Sequence, residues 1–410
     1  MRHARRRWAG WRRCDGRKIK IGYDRHIKTC LVSVMTRNDA LTGLRCIAVG
    51  MVVFGHSGPF LPSWAGGRLS PIVLLGHGAM GVHIFFVLSG FLISSLLIRE
   101  YKNTGRIHFG KFYLRRILRI VPAFYVFLLV LSFFAINHIL NINWKQFAIS
   151  GLYLWNYAHI LGIDGSFINH LDGDWYLGHT WSLALEDQFY WMWPALLWFL
   201  LRHDIRWVLP GIILTVPLIR MASYFAFPST RPQLQMMFHT GIDSILVGCF
   251  VAINRDMLSA RLRRIVGGGP ALSVLAVVVL LILPNATAPL GGIWSITYGR
   301  TVEAGLIGLL LLGILAQPDH WLPRMLRLGP FVFVGTISYS LYLWQQFFNH
   351  ADSPGFLGFP LNIAGALAAA TLSYFLVERP FLILKDRRAA ATARPPVAVG
   401  DTAISDLGRP

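Results

Sequence analysis

Continuous apolar runs of about 18 residues or more recur from the N-terminal region almost to the C-terminus. A helix rises about 1.5 Å per residue, so each run can cross roughly 30 Å of hydrocarbon. The runs are unbroken rather than alternating, which points to helices and away from a barrel. Only 14% of the 410 residues are charged and 54% are hydrophobic; soluble domains carry nearer about a quarter charged. The expected fold class is therefore all-α, a polytopic transmembrane bundle whose first partner is the lipid bilayer.

Ten candidate spans follow: 40–57, 78–98, 117–138, 180–201, 206–227, 240–254, 270–284, 301–317, 330–348 and 358–377. A shorter aromatic-rich patch at 146–158, QFAISGLYLWNYA, suits an interfacial or re-entrant segment. The placement of Lys and Arg tests that reading. If the patch does not cross and the basic N-terminus is cytoplasmic, the basic loops all fall on one side: Arg99–Arg119, Arg202–Arg206, Arg255–Arg264, Arg324–Arg327 and Lys385–Arg388. The opposite loops, 58–77, 139–179, 228–239, 285–299 and 349–357, hold few Lys or Arg. Had 146–158 crossed, every later basic loop would move outside. The expected topology is ten spans in the plasma membrane, with both termini cytoplasmic and a long external loop at 139–179. That loop carries Asp164, Asp172, Asp174, His170 and His179, and loops of this length usually have a function.

The net charge of +20 does not point to nucleic acid. The basic residues sit at the N-terminus and in short loops, without the aromatic-interleaved basic domain of a nucleic-acid binder. Residues 1–37 lack the apolar core of a signal peptide; they read as a disordered cytoplasmic tail or as sequence preceding a start at Met35. Residues 38–384 form the expected transmembrane domain, and 385–410 an Ala/Pro-rich cytoplasmic tail read as disordered. Cys14, Cys30, Cys46 and Cys249 show neither paired nor metal-ligand spacing, so no disulfide framework and no metal are expected.

Ionisable groups inside spans are costly and usually face a bundle interior or a wet cavity. The first span carries Arg45 and His56, eleven positions and about 16 Å apart on roughly one face. Taken alone, Arg45 also reads as a snorkelling interfacial residue. The run Arg115-Arg116-Ile117-Leu118-Arg119 opens the third span; it suits phosphate clamping or a plain positive-inside anchor. The fourth span opens Thr180-Trp181-Ser182-Leu183-Ala184-Leu185-Glu186-Asp187-Gln188-Phe189-Tyr190. Glu186 and Gln188 cannot share a face, so at least one is expected to face a cavity. Ser89-Gly90 in the second span reads as a close-packing site, His83 alone is a weak signal, and Gly335–Gln346 reads as an aromatic interfacial belt.

In this order, the segments LTGLRCIAVGMVVFGHSG, GVHIFFVLSGFLISSLL, RRILRIVPAFY, TWSLALEDQFYWMWP, GTISYSLYLWQQ and VERP resemble the acyltransferase-3 family of membrane acyltransferases over about residues 40–380. The resemblance implies transfer of an acyl group, often acetyl, to a hydroxyl of a carbohydrate or glycoside acceptor. It also implies that the family's first-span Arg and His are Arg45 and His56, that its cytoplasmic Arg pair is Arg116 and Arg119, and that its Trp-Ser-Leu…Glu…Gln-Phe-Tyr element is Trp181, Ser182, Glu186, Gln188, Phe189 and Tyr190. This sequence departs from the pattern at His83, where an acidic residue is common, and at Gln345, where a His is common. Neither is carried forward as catalytic. Asp187 holds a place more often taken by Glu, and no esterase-like segment of the kind some members carry follows the last span. The chain is thus expected to act alone or with a separate partner.

On this reading acetyl-CoA, or another acyl-CoA, is a cytoplasmic donor whose phosphates meet Arg115, Arg116 and Arg119. His56 is the expected base or acyl carrier, with Arg45 and Glu186 beside it in catalytic roles. Trp181, Ser182, Gln188 and Tyr190 are expected to bind substrate. Glu186 would orient His56 or bind the acceptor. The rival class is a transporter or flippase without chemistry; it is disfavoured by the lack of an internal repeat and of matched broken helices.

Overall fold

The computed structural model describes residues 11–14, 17–20, 38–58, 61–63, 65–67, 70–163, 172–265, 269–350, 355 and 357–392. Asp164, His170, Cys30 and Met35, singled out above, lie outside these residues, as do 393–410. The longer helices are α1 (Asp39–Ser57), α2 (Gly78–Thr104), α3 (Phe109–Ile136), α4 (Thr180–Arg202), α5 (Val208–Ala226), α6 (Asp243–Ile253), α7 (Pro270–Ile296), α8 (Gly299–Ala316), α9 (Gly329–Thr336), α10 (Ser338–Phe348) and α11 (Leu361–Arg388). The only strands among the described residues form one antiparallel hairpin, Trp11–Cys14 with Arg17–Lys20. It lies in the basic segment read above as disordered. The rest is all-helical, as expected.

Among the described residues seven helical segments are long and apolar enough to cross a membrane: Asp39–Ser57, Pro71–Thr104, Phe109–Ile136, Val208–Ala226, Pro270–Ile296, Gly299–Ala316 and Leu361–Arg388. The other three expected spans differ for physical reasons. Helix α4 has 23 residues but carries Glu186, Asp187 and Gln188 in its middle. Helix α6 has only 11, nearly all buried by its neighbours. The ninth expected span is two helices, α9 and α10, divided at Ile337.

Local chemistry sets the ends. Asn38 caps α1 by accepting hydrogen bonds from the Ala40 and Leu41 amides at 3.1 and 3.4 Å. Helix α2 stops at Gly105, whose φ of 70° suits the left-handed cap that glycine adopts without strain. Helix α2 is the centre of the bundle and packs against α1 and α6. It crosses α6 through a reciprocal pair of glycines: a Cβ on Gly90 would strike the Ile245 carbonyl, and one on Gly248 the Val87 carbonyl. Such backbone approach is how helices associate where lipid supplies little hydrophobic drive. Gly248→Val is expected to cost at least about 1–3 kcal/mol through overpacking, whereas Gly305→Val, with open space at its Cβ, is expected to be neutral. The yield of monodisperse protein extracted from membranes checks both.

The patch at 146–158 turns back into the bundle. It holds the short helix Trp144–Gly151 and a turn at Trp155–Tyr157. The Tyr125 hydroxyl of α3 donates to the Gly151 carbonyl at 2.8 Å. The Gln188 amide donates to the Tyr153 carbonyl at 2.9 Å and pairs with the Asn156 carboxamide at 3.0 Å. Gln188 lies eight residues, about 12 Å, down α4 from its start. The segment is therefore tied to α3 and α4 by these hydrogen bonds.

Candidate active site

Two cavities line the interior of the bundle and meet at Val82 and Tyr342. The first has a volume of about 90 Å³ and is bounded by Arg45 of α1, Ser89 of α2, Arg116 and Arg119 of α3, Glu186, Asp187 and Tyr190 of α4, and Ser338 and Tyr339 at the start of α10. Arg116 and Arg119 are three apart, so the helical period puts both on the face of α3 turned toward α4. Among the described residues, none of Arg45, Arg116 and Arg119 forms a salt bridge. The Arg116 guanidinium instead stacks 4.3 Å from the Tyr190 ring centroid. The Glu186 carboxylate accepts hydrogen bonds from Ser89 and Tyr190. Three guanidiniums thus converge on one cavity that also holds the Glu186 and Asp187 carboxylates, without a direct ion pair between them among the described residues.

The second cavity has a volume of about 410 Å³ and carries imidazole, indole and carboxamide groups. His56 lies near the end of α1, with its Nδ1 3.1 Å from Gln345 Oε1. Its ring meets Trp175 edge-on, with centroids 5.8 Å apart. His179, immediately before α4, is 4% exposed. Its ring faces the Gln346 carboxamide in the same cavity, and among the described residues no other hydrogen-bond partner reaches its ring nitrogens or Gln346 Oε1. The His179 ring is fixed by Phe127 and Tyr342, at 5.7 and 5.3 Å. Trp155 and Trp181 complete an aromatic wall of the kind that stacks on sugar rings.

Tyr342 stands between the two cavities. Its hydroxyl lies 2.6 Å from Ser182 Oγ and donates to the His179 carbonyl at 3.0 Å. The junction is therefore a hydrogen-bonded side-chain contact rather than packed backbone.

A buried ionic lattice supports the second cavity. Arg220, with no exposed surface, donates to Asp243 Oδ2 at 2.6 Å, to the Thr240 carbonyl at 2.7 Å and to the Ser295 carbonyl at 2.9 Å. Thr301 donates to the same Asp243 oxygen at 2.9 Å. Beside it, His83 Nδ1 donates to Glu303 at 2.7 Å while its Nε2 accepts from Arg300 Nε at 3.0 Å. Both nitrogens of His83 are thereby committed, and the imidazole serves the lattice.

Of the residues singled out from sequence, Arg45, Arg116, Arg119, Ser182, Glu186 and Tyr190 share the first cavity, and His56 and Trp181 the second. Two lie in neither. Arg115 points aside to Glu100 at 3.3 Å, and Gln188 holds the inturned segment. Glu186 does not reach His56, whose ring partner is Gln345. Sequence reasoning gave Ser89 only a packing role, His179 only a place in the external loop and Tyr339 and Tyr342 only a place in a belt, and it passed over Arg300 and Glu303. Tyr339 and Tyr342 sit in the segment read as an interfacial belt, and only the division at Ile337 turns them inward.

Comparison with known proteins places this architecture. Residues 38–378 match the acyltransferase-3 family, described as an acyltransferase domain. The chain is 25% identical over 368 residues to the peptidoglycan O-acetyltransferase OatA of Listeria monocytogenes, covering 83% of this chain and 55% of that one. It is 26% identical over 366 residues to a provisionally named O-acetyltransferase of Staphylococcus aureus, covering 83% and 56%. It is 27% identical over 365 residues to a provisionally named peptidoglycan O-acetyltransferase of Bacillus subtilis, covering 83% and 54%. The chain spans about half the length of these curated relatives. No solved structure matches. The match runs from the cap of α1 into α11 and takes in both cavities, and the chain belongs to the acyltransferase-3 family of membrane acyltransferases.

Proposed function

We propose that this chain is a plasma-membrane O-acyltransferase that moves an acyl group, acetyl in the simplest case, from cytoplasmic acyl-CoA to a hydroxyl of a carbohydrate or glycoside. The observation that carries the reading is the junction of a cavity lined by three arginines with a histidine-and-indole cavity. The basic loops support placing the arginine end, and both termini, in the cytoplasm. The names of the relatives, two of them peptidoglycan O-acetyltransferases, support a cell-wall glycan as acceptor.

The CoA phosphates meet Arg116 and Arg119, with Arg45 deeper in the same cavity. The thioester arm extends past Tyr342 toward His56. On the far side the sugar lies against Trp175 and Trp181, and its hydroxyls bond to His179 and Gln346, whose polar atoms suit that task. His56 Nε2 takes the proton of the attacked hydroxyl as its oxygen bonds to the acyl carbonyl carbon. The carbon–sulfur bond then breaks, and the CoA thiolate leaves to take a proton from solvent at the arginine end.

Membranes holding the chain, given radiolabelled acetyl-CoA, are expected to label peptidoglycan or added glycosides. A membrane that transports but never labels an acceptor would leave the flippase reading in place. Arg116→Gln with Arg119→Gln is expected to raise the acyl-CoA KM at least about tenfold, since a hydrogen bond to a charged group contributes about 1.5–3 kcal/mol. An unchanged KM assigns both arginines to topology alone.

A further inference from the structure

His56 is held by an amide, and an amide has polarity. One arm accepts and the other donates, so the arm facing the imidazole decides which ring nitrogen carries the proton. Gln345 faces His56 Nδ1 with its Oε1, at 3.1 Å. The same oxygen accepts from Asn349 Nδ2 at 3.3 Å. Asn349 is itself oriented: its Oδ1 accepts from Asn362 Nδ2 at 2.7 Å and lies 2.9 Å from Ser57 Oγ. Ser57, Gln345 and Asn349 have no exposed surface and Asn362 has 1%, so solvent offers these amides no competing partners. A chain of side-chain amides thus runs from α11, across the end of α10, to the reactive end of α1.

We propose that Gln345, oriented by Asn349 and Asn362, is a positioning residue that holds His56 as the Nδ1–H tautomer and leaves the Nε2 lone pair facing the second cavity. The inference rests on the reading of His56 as the acting group. That role, whether as base or as acyl carrier, needs a bare nitrogen. In many enzymes a carboxylate fixes the tautomer; here three neutral amides do so without adding a charge to the bundle. With every amide turned over, Gln345 Nε2 would donate to Nδ1 and the proton would sit on Nε2, where it blocks the reaction.

Nitrogen NMR of the membrane-embedded protein labelled with ¹⁵N-histidine reads the tautomer directly. The His56 signal is identified among the 14 histidines by its loss in His56→Ala. The expected spectrum has Nδ1 protonated and Nε2 bare. Gln345→Leu is expected to give mixed tautomers and to lower acyl transfer about 10- to 100-fold, the usual cost of losing an orienting partner. Gln345→Glu retains an acceptor and is expected to restore the tautomer and most of the transfer. An Nε2-protonated His56 in the unaltered protein overturns the proposal even if no variant folds. So does Gln345→Leu with unchanged tautomer and rate. Undiminished transfer by His56→Ala fails the proposed function instead, so the two failures are distinguishable.

Discussion

His56→Ala is expected to lower acyl transfer by roughly 10²–10⁴-fold, the range that a positioned acid–base group contributes, while the chain still inserts and folds. The two halves of this expectation have separate grounds. The loss follows from position: His56 has its Nδ1 beside Gln345 Oε1 and its ring packed on Trp175, in the wall of the second cavity. His83 does not substitute for it, because both of its nitrogens are engaged by Glu303 and Arg300. The tolerance follows from packing. Among the described residues His56 makes one side-chain hydrogen bond, to Gln345, whereas α1 is anchored along its length by Leu44, Ala48, Val49, Met51 and Val52, all buried. Alanine is also a strong helix former. Product formation per mole of membrane-inserted protein measures the effect, and a rate within a few-fold of the unaltered chain would remove His56 from the reaction.

Arg220→Gln is expected to act on stability instead, by about 3–5 kcal/mol, the cost of breaking a buried ion pair from one side. Arg220 and Asp243 are wholly buried and 2.6 Å apart. The same guanidinium bonds carbonyls at Thr240, Ser295 and Thr297, joining α5 to the segment before α6 and to the turn between α7 and α8. Its loss strands the Asp243 carboxylate and several carbonyls without donors. Removing both charges, as in Arg220→Met with Asp243→Leu, is expected to recover part of the deficit, because no lone buried charge remains. Thermal unfolding in mild detergent would check the series. A single variant as stable as the unaltered protein would show the pair to be dispensable.

These two residues mark what was legible in the sequence. His56 stood out because a titratable group in an apolar run is costly wherever it lies. The same reasoning found Arg45, Arg116, Arg119 and Glu186, and the structure brings these four into one cavity. Arg220 passed unremarked because its partners lie far along the chain, Thr240 and Asp243 at 20 and 23 residues on and Ser295 and Thr297 at 75 and 77. His83 looked weak alone for the same reason: Glu303 and Arg300 are more than 200 positions away. Helical period encodes faces, and it does not encode which distant face a helix meets. The split of the ninth span at Ile337 was hidden because both halves are apolar enough to read as one run. Helix α6 was found despite its 11 residues because its burial keeps it continuously apolar. Arg115 was included with its neighbours by spacing, although one helical position turns it away from the cavity toward Glu100.

The central claim is that donor and acceptor meet from opposite faces of the membrane. Sealed proteoliposomes test it most directly, with labelled acetyl-CoA outside only and soluble peptidoglycan fragments in the lumen. Chains whose arginine end faces outward can then use the donor. The account predicts acyl label on luminal fragments, lost with His56→Ala. Label confined to fragments supplied on the donor side, with none in the lumen, would contradict it.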